Sequence, residues 1–346
     1  MKKKSLFVTL LATMMLLMTA CGEGDTNTNK NSNSNTGEEA SGKKYKVAIS
    51  QFVEHPSLNA VKDGIIAALA DGGLVDGENL VVDYQNAQND FNNLQPISQK
   101  IRDGKPDVAV GIATPSAQAL VDEITDSPVV FAAVTDPIDA KLVPSLEASG
   151  GNVTGASDSN TGAIHQLMDF IAAEFPEVKK VGIVINKGEP NTVVMADAAR
   201  ARLAEHNIEL IEAPVASNSD IQQAAESLIG RVDALYVTLD NTVVEAIDII
   251  LDVAHKHDLP LFTSDRDTVE AGAFATVGFK YYDHGYEVGE MLLEILKDGK
   301  NPGEMDIRTP ENLDFILNLV AAEEMGITVT DEMKAYVKDP ATNILE

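Results

Sequence analysis

Tryptophan is absent from the 346 residues, and cysteine occurs once. A single cysteine excludes a disulfide framework and a cysteine-ligated zinc site. Aromatic residues make up only 5% of the chain, which leaves few flat faces for stacking a sugar ring. Cations are scarce as well: 26 Lys+Arg stand against 54 Asp+Glu, for a net charge of −28. So acidic a surface repels phosphate backbones and anionic headgroups. Nucleic acid is therefore not an expected partner, and membrane attachment requires an inserted segment or a covalent lipid. Catalytic signatures are missing too. There is no G-x-S-x-G elbow, no Walker A loop, no G-x-G-x-x-G after the first strand and no H-E-x-x-H. His255 and His257 stand two apart on an expected helix, share no face and make a poor metal pair. No EF-hand spacing occurs. The expectation is a protein that is not an enzyme and holds neither cofactor nor metal.

What is present begins with a leader. Lys2, Lys3 and Lys4 form a basic start, and residues 6–18 are an apolar run broken only by Thr9 and Thr13. That run is short for a membrane span and suits the hydrophobic region of a secretory signal. Met18-Thr19-Ala20-Cys21-Gly22 follows. Small residues before the lone cysteine resemble the lipobox of bacterial lipoproteins, which implies a signal peptide at 1–20 and a diacylglycerol on Cys21. The alternative is an ordinary signal peptide with an incidental cysteine. Residues 21–44 are rich in Asn, Ser, Thr and Gly, with Asn at every second position from 27 to 35. Such a segment cannot bury a core and reads as a disordered tether. Cleavage removes three lysines and no acids, so the body becomes more acidic still. It is placed on the outer face of the cytoplasmic membrane.

From residue 45 short apolar runs alternate with helical periodicity, the pattern of parallel βα units. Strands are expected at 46–50, 80–84, 107–112 and 129–133, with helices at 58–71, 91–103 and 116–124 between them. The series then restarts, with strands at 180–185, 208–213, 234–238 and 260–263 and helices at 191–206, 221–229 and 243–257. Gly104-Lys105-Pro106-Asp107-Val108-Ala109-Val110 matches Gly230-Arg231-Val232-Asp233-Ala234-Leu235-Tyr236. Two copies of one series predict an α/β fold of two similar Rossmann-like lobes, each a parallel sheet flanked by helices. Segments 152–156, 272–279 and 307–310 are the expected crossings of a three-segment hinge. The lobes are then 45–154 with 279–308, and 155–278 with 309–346. A helix at 281–296 returns to the first lobe. A strand at 314–320 and a helix at 330–337 finish the second.

Parallel sheets bind ligands beyond the carboxyl ends of their strands, so the polar residues there are the candidate site. In the first lobe these are Gln51, His55, Thr114, Ser116, Thr135 and Asp136, with Ala117 beside them, and where the chain crosses to the second lobe Ser157 with its neighbour Asp158. In the second they are Asn186, Glu189, Asn191, Asp240, Asn241 and Asp265. Thr114 before Pro115 reads as a helix N-cap followed by a first-turn proline, a corner that suits a carboxylate or a plain cap. Asp240 stands at the matching corner of the second lobe, where it either caps or accepts a ligand ammonium. Donors on one side and a carboxylate on the other suit a zwitterion bridging the lobes. Phe52, His55 and Tyr282 are planar groups within reach of a ring.

The lipobox, the tether and the duplicated lobes together resemble a solute-binding lipoprotein of a bacterial ABC importer, with the type I periplasmic-binding-protein fold. The narrower resemblance is to the family associated with tryptophan and tyrosine uptake. It rests on Thr114-Pro115-Ser116-Ala117-Gln118-Ala119-Leu120 and Val130-Phe131-Ala132-Ala133-Val134-Thr135-Asp136-Pro137. Asn152-Val153-Thr154-Gly155-Ala156-Ser157-Asp158, Leu235-Tyr236-Val237-Thr238-Leu239-Asp240-Asn241 and Tyr281-Tyr282 add to it. The resemblance implies a monomer that passes an aromatic or other amino acid to a permease subunit. A sugar ligand and a sensory role with a signalling partner stay open as alternatives.

Overall fold

The computed structural model describes residues 43–158 and 161–346; the leader, Cys21 and the tether up to residue 42 lie outside them. The first lobe opens with β1 (Tyr45–Gln51), α1 (Pro56–Asp71), β2 (Leu80–Asn86), α2 (Phe91–Asp103), β3 (Val108–Ile112), α3 (Thr114–Glu123), β4 (Val129–Val134) and β5 (Val153–Ser157). The second continues with α4 (Thr161–Glu174), β6 (Lys180–Asn186), α5 (Pro190–Glu205), β7 (Glu209–Val215), α6 (Ile221–Leu228), β8 (Ala234–Val237) and α7 (Asn241–Glu245). Then come α8 (Ile247–Lys256), β9 (Leu261–Thr263), α9 (Arg266–Ala271), β10 (Ala275–Gly278) and α10 (Tyr281–Leu296). The chain ends with β11 (Asp314–Asn318), α11 (Leu319–Glu324), α12 (Asp331–Lys334), α13 (Pro340–Asn343) and β12 (Ile344–Leu345).

Two sheets result. The first runs β2-β1-β3-β4-β5 and is parallel throughout. The second runs β12-β11-β10-β9-β8-β6-β7, with β11 antiparallel to β10. The inner strands β3, β4 and β8 are buried along their whole length, as sheets covered on both faces require. The sequence repeat has a physical counterpart. Asp107 Oδ2 accepts the Lys46 N–H at 2.8 Å, and Asp233 Oδ2 accepts the Lys180 N–H at 2.9 Å. Each aspartate thus ties the start of a central strand to the first strand of its own lobe.

The chain passes between the sheets three times. It leaves the first sheet after β5, returns after β10 and leaves again before β11. β5 pairs with β4 from Val153 to Ser157, so the first passage starts after Ser157 and not at 152–156 as expected. The apolar alternation of a short edge strand looks the same as that of a crossing segment. In the third passage Arg308 N donates to Gly155 O at 3.0 Å, and Ser157 N donates to Arg308 O at 2.8 Å. Residue 308 therefore still belongs beside the first sheet.

α10 returns to the first lobe and lies tightly on α1. A Cβ on Gly64 would stand 2.2 Å from Tyr282 O, and one on Gly285 would stand 2.0 Å from Val61 O. The second core is larger and holds an aromatic cluster around Phe170, whose ring lies 5.3 Å from Phe315 and 6.4 Å from Phe262 and Phe274. Phe170 sits on α4, a helix the sequence pattern leaves out.

Candidate functional site

The carboxyl ends of β1, β4 and β5 face those of β8 and β9 across the junction of the lobes. His55 and Ser57 follow β1, Thr135 follows β4, and Asp158 follows β5. Asn241 and Asp265 follow β8 and β9, and Tyr281 starts α10; all seven line one cavity of about 20 Å³. The lobes touch directly around it. Ser57 Oγ donates to Asp265 Oδ1 at 3.2 Å, and His55 Nε2 lies 3.4 Å from Asn241 Oδ1.

Two buried carboxylates dominate the cavity, and no lysine or arginine is among its lining residues. Asp158 accepts hydrogen bonds from Tyr281 Oη at 3.1 Å and Thr135 Oγ1 at 3.3 Å. Burial outweighs these bonds and pushes its carboxyl up to about 6. Asp265 is held more firmly. As N-cap of α9 it accepts Thr268 N at 2.8 Å, Thr268 Oγ1 at 2.7 Å and Thr263 Oγ1 at 3.1 Å. Asn241 Nδ2 donates to Glu189 Oε2 at 2.6 Å, so its Oδ1 is the acceptor facing His55. That places the His55 proton on Nε2 and leaves Nδ1 as an acceptor. Burial lowers the His55 pKa and keeps the ring neutral. Two carboxylates, a neutral imidazole and no fixed cation make a site for a positively charged group.

Backbone strain borders the cavity. Ala133 in its wall has φ +52°, and Ala113 at the end of β3 has φ +74°. Both lie in the left-handed region that disfavours a Cβ. The Ala133 N–H donates to His284 Nε2 at 3.1 Å, and burial lowers that histidine to about 4, so it stays an acceptor.

Of the residues expected from sequence, His55, Thr135, Asn241 and Asp265 line the cavity. Ser157 Oγ donates to Thr135 O beside it. Asp136 Oδ1 instead accepts Ile138 N and Asp139 N and closes a turn. Thr114 is not the cap of α3. Ala113 takes that position, Thr114 is the first helical residue, and among the described residues its buried Oγ1 has no partner. Ser116 Oγ accepts from Ser50 Oγ at 3.3 Å, and Ala117 packs where Gly111 leaves room for its backbone. Gln51 Nε2 donates to Val53 O and Asn59 Oδ1.

Asn186, Glu189, Asn191 and Asp240 form a separate buried mesh inside the second lobe. Asp240 Oδ2 accepts Asn186 N at 2.6 Å, and Oδ1 accepts Val243 N at 3.2 Å as the cap of α7. Glu189 accepts from Asn241 N, Thr242 N and Thr242 Oγ1. Asn191 Nδ2 donates to Leu239 O at 2.7 Å. Burial, with Glu189 adjacent, raises the Asp240 carboxyl well above its ordinary value. The Asp240 oxygens therefore bind backbone N–H groups rather than facing the cavity. Among the planar side chains, Phe52 is fully buried against Phe91 at 4.9 Å, and Tyr282 is exposed on α10.

Sequence reasoning misses Ser57 and Tyr281 as site residues and marks Asp158 only as the neighbour of Ser157 at a strand end. Asp158 stands one residue beyond the expected Ser157, and Tyr281 one before the expected Tyr282. The signal for both is strand or helix phase, which a one-residue error in an element boundary inverts.

The sequence and the fold have close counterparts. The chain is 36% identical over 324 residues to a tyrosine-binding protein of Clostridioides difficile, spanning 93% of this chain and 92% of that one. It superposes on a conserved domain protein from Vibrio cholerae with 38% identity and a TM-score of 0.83, covering 88% of this chain and 100% of that one. An ABC domain in complex with L-Trp from Streptococcus pneumonia matches at 30% identity and a TM-score of 0.81, covering 85% and 99%. Residues 46–340 match the family model of ABC transporter substrate binding proteins, and on these findings the chain belongs to that family.

Proposed function

We propose that the protein captures an aromatic L-amino acid outside the cytoplasmic membrane and presents it to an ABC permease. The observation that carries this reading is the pair of buried carboxylates, Asp158 and Asp265, set between two lobes with no lysine or arginine among the lining residues. An ionised carboxylate buried without a counter-charge is costly. A ligand ammonium relieves that cost, and the α-amino group of an amino acid supplies one. The resemblance to a tyrosine-binding protein and to an L-Trp complex favours an aromatic side chain. The corner at Thr114 and Ser116, tied to the strand of the cavity-wall residue Ala133 by the bond from Ala113 N to Ala132 O, is the proposed donor side for the carboxylate.

The lobe arrangement supports capture by closure. The chain superposes on the L-Trp complex with a TM-score of 0.81, but on a ligand-free, open substrate-binding protein from Clostridium difficile with only 0.64. Sequence identity is nearly the same, 30% and 33%, which supports a different setting of the lobes in the two. Opening and closing about the three passages is the motion this implies.

Calorimetric titration with tyrosine, tryptophan, phenylalanine, leucine and ribose tests the reading. Binding of an aromatic amino acid is expected; ribose binding without any amino acid would overturn it. We further propose attachment through a lipid on Cys21. Cys21→Ala is expected to release the protein from the membrane fraction or leave it unprocessed, and unchanged fractionation would refute the anchor. Among the described residues no helix is long and apolar enough to cross a membrane.

A further inference from the structure

A second cavity adjoins the first. Asp158 and Leu239 line both. The second is otherwise walled by apolar side chains, chiefly Ile164, Leu167, Met195, Val277, Phe279 and Leu313, with Ser264 as its one further polar residue. It too measures about 20 Å³, room for roughly one water. Leu239 stands between the two and packs against the cores of both lobes. Ser264 Oγ lies 2.6 Å from Oη of Tyr236, a buried phenol.

From this we infer that the second cavity receives the ligand's ring, that Leu239 sets the ring size admitted, and that Ser264 recognises a ring hydroxyl. The inference rests on the aromatic amino acid reading above. An ammonium held by Asp158 sits at the boundary of the two spaces. The side chain of an L-amino acid leaves the carbon next to that ammonium, so it can enter the apolar space directly. Neither space holds a ring while Leu239 divides them; seating the ring requires Leu239 to give way. Apart from Asp158 the second cavity has no charged lining residue, so charged side chains entering it lose their hydration without a partner. Ser264 and Tyr236 together carry two hydroxyl protons. Their mutual bond uses one, which leaves one to donate or a lone pair to accept from a phenol.

The geometry therefore favours tyrosine over phenylalanine through Ser264, and disfavours the larger indole through Leu239. Titration of the wild type and three variants tests this. Leu239→Ala is expected to improve tryptophan binding relative to tyrosine at least tenfold, within the range that a few methylenes in a pocket command. Should Leu239→Ala fail to fold, Leu239→Val is expected to move the same ratio in the same direction by less. The double variant Tyr236→Phe with Ser264→Ala removes both hydroxyls and strands neither. It is expected to weaken tyrosine by about fivefold to tenfold and leave phenylalanine unchanged. If the wild type binds tyrosine while Leu239 variants weaken every ligand by one common factor, Leu239 does not set ring size. An unchanged tyrosine-to-phenylalanine ratio in the double variant overturns the role of Ser264. A wild type that binds none of the aromatic amino acids overturns the reading beneath, and this inference with it.

Discussion

Replacing Asp158 with Asn should make the ligand-free protein more stable and the ligand bind less well. Burial raises the Asp158 carboxyl from 3.8 to about 6. That difference corresponds to roughly 3 kcal/mol between its two protonation states. Because the folded value is raised, the residue favours folding fully only below the unfolded value. That contribution is lost as pH rises through about 6. At pH 7.5 the wild type therefore carries the whole cost of a buried charge, and the neutral amide does not. Asn keeps one acceptor oxygen and turns its NH2 toward the other hydroxyl, which can accept, so the expected gain is up to about 3 kcal/mol, read as a rise of several degrees in Tm. The gain should vanish near pH 4, where the wild-type residue is already protonated.

Binding moves the other way. A charge-assisted hydrogen bond contributes roughly 1.5–3 kcal/mol, so Asp158→Asn should weaken tyrosine by at least about tenfold. In the wild type the same carboxylate has to be ionised, so affinity should fall by roughly tenfold per pH unit below about 6. Protonation of His55 acts in the same direction, since it places a second positive charge beside the ammonium. Thermal unfolding and calorimetric titration across pH 4–8 read both effects. A variant that binds as tightly as the wild type, or that is less stable at pH 7.5, would refute the reasoning.

Asn89 follows β2 and bridges the lobes away from the cavity, donating at 2.8 Å to both Asn218 Oδ1 and Glu245 Oε2, with its Oδ1 3.2 Å from Thr242 Oγ1. At roughly 1 kcal/mol per bond or less, Asn89→Ala should weaken every ligand by one common factor of up to about tenfold, and affinities equal to the wild type's would show the bridge to be idle. Gly64→Ala or Gly285→Ala forces α1 and α10 apart and should cost about 1–3 kcal/mol or more; an unaltered Tm would refute the helix spacing. Asp240→Asn keeps only one of the two oxygens that accept Asn186 N and Val243 N, so it should lower Tm, while the affinity of the folded variant should change by less than about twofold. A loss of tenfold or more there would return Asp240 to the ligand.

The two lobes are legible in the sequence because parallel strands buried on both faces read as continuous apolar runs, and because one segment, from Gly104 and again from Gly230, is repeated. The repeat even marks equivalent working residues, Asp107 and Asp233. β5 and α4 are not legible in the same way. β5 is a short edge strand that follows Gly150-Gly151 and carries Gly155 at its centre, and the sequence before α4, Asp158-Ser159-Asn160, reads as loop as readily as a helix start. The site suffers most from this, since its principal carboxylate lies in the passage between them. Asp240 draws attention because it occupies a strand end before a helix. The sequence shows that a carboxylate is there, but not that backbone N–H groups already occupy its oxygens. Asp265 caps a helix in the same way and still reaches the cavity, because Ser57 of the opposite lobe meets it.

Closure and charge together explain how an empty site can remain open and a filled one shut. Closing the lobes without ligand buries Asp158 and Asp265 in one cavity, and the Asp158 carboxylate opposes this by at most roughly 3 kcal/mol at neutral pH, the part of its burial that closing adds. The bridge from Asn89 favours closure by a comparable or smaller amount. The opposing contributions are close in size, so the balance tips easily. An ammonium reverses the sign of the Asp158 contribution while leaving the bridge untouched, which is the differential affinity that a population shift requires. Asp158→Asn removes the opposition without any ligand. The ligand-free variant should therefore scatter X-rays with a radius of gyration close to that of the liganded wild type, whereas the ligand-free wild type should be larger. A ligand-free variant as open as the wild type would show that buried charge does not hold the lobes apart.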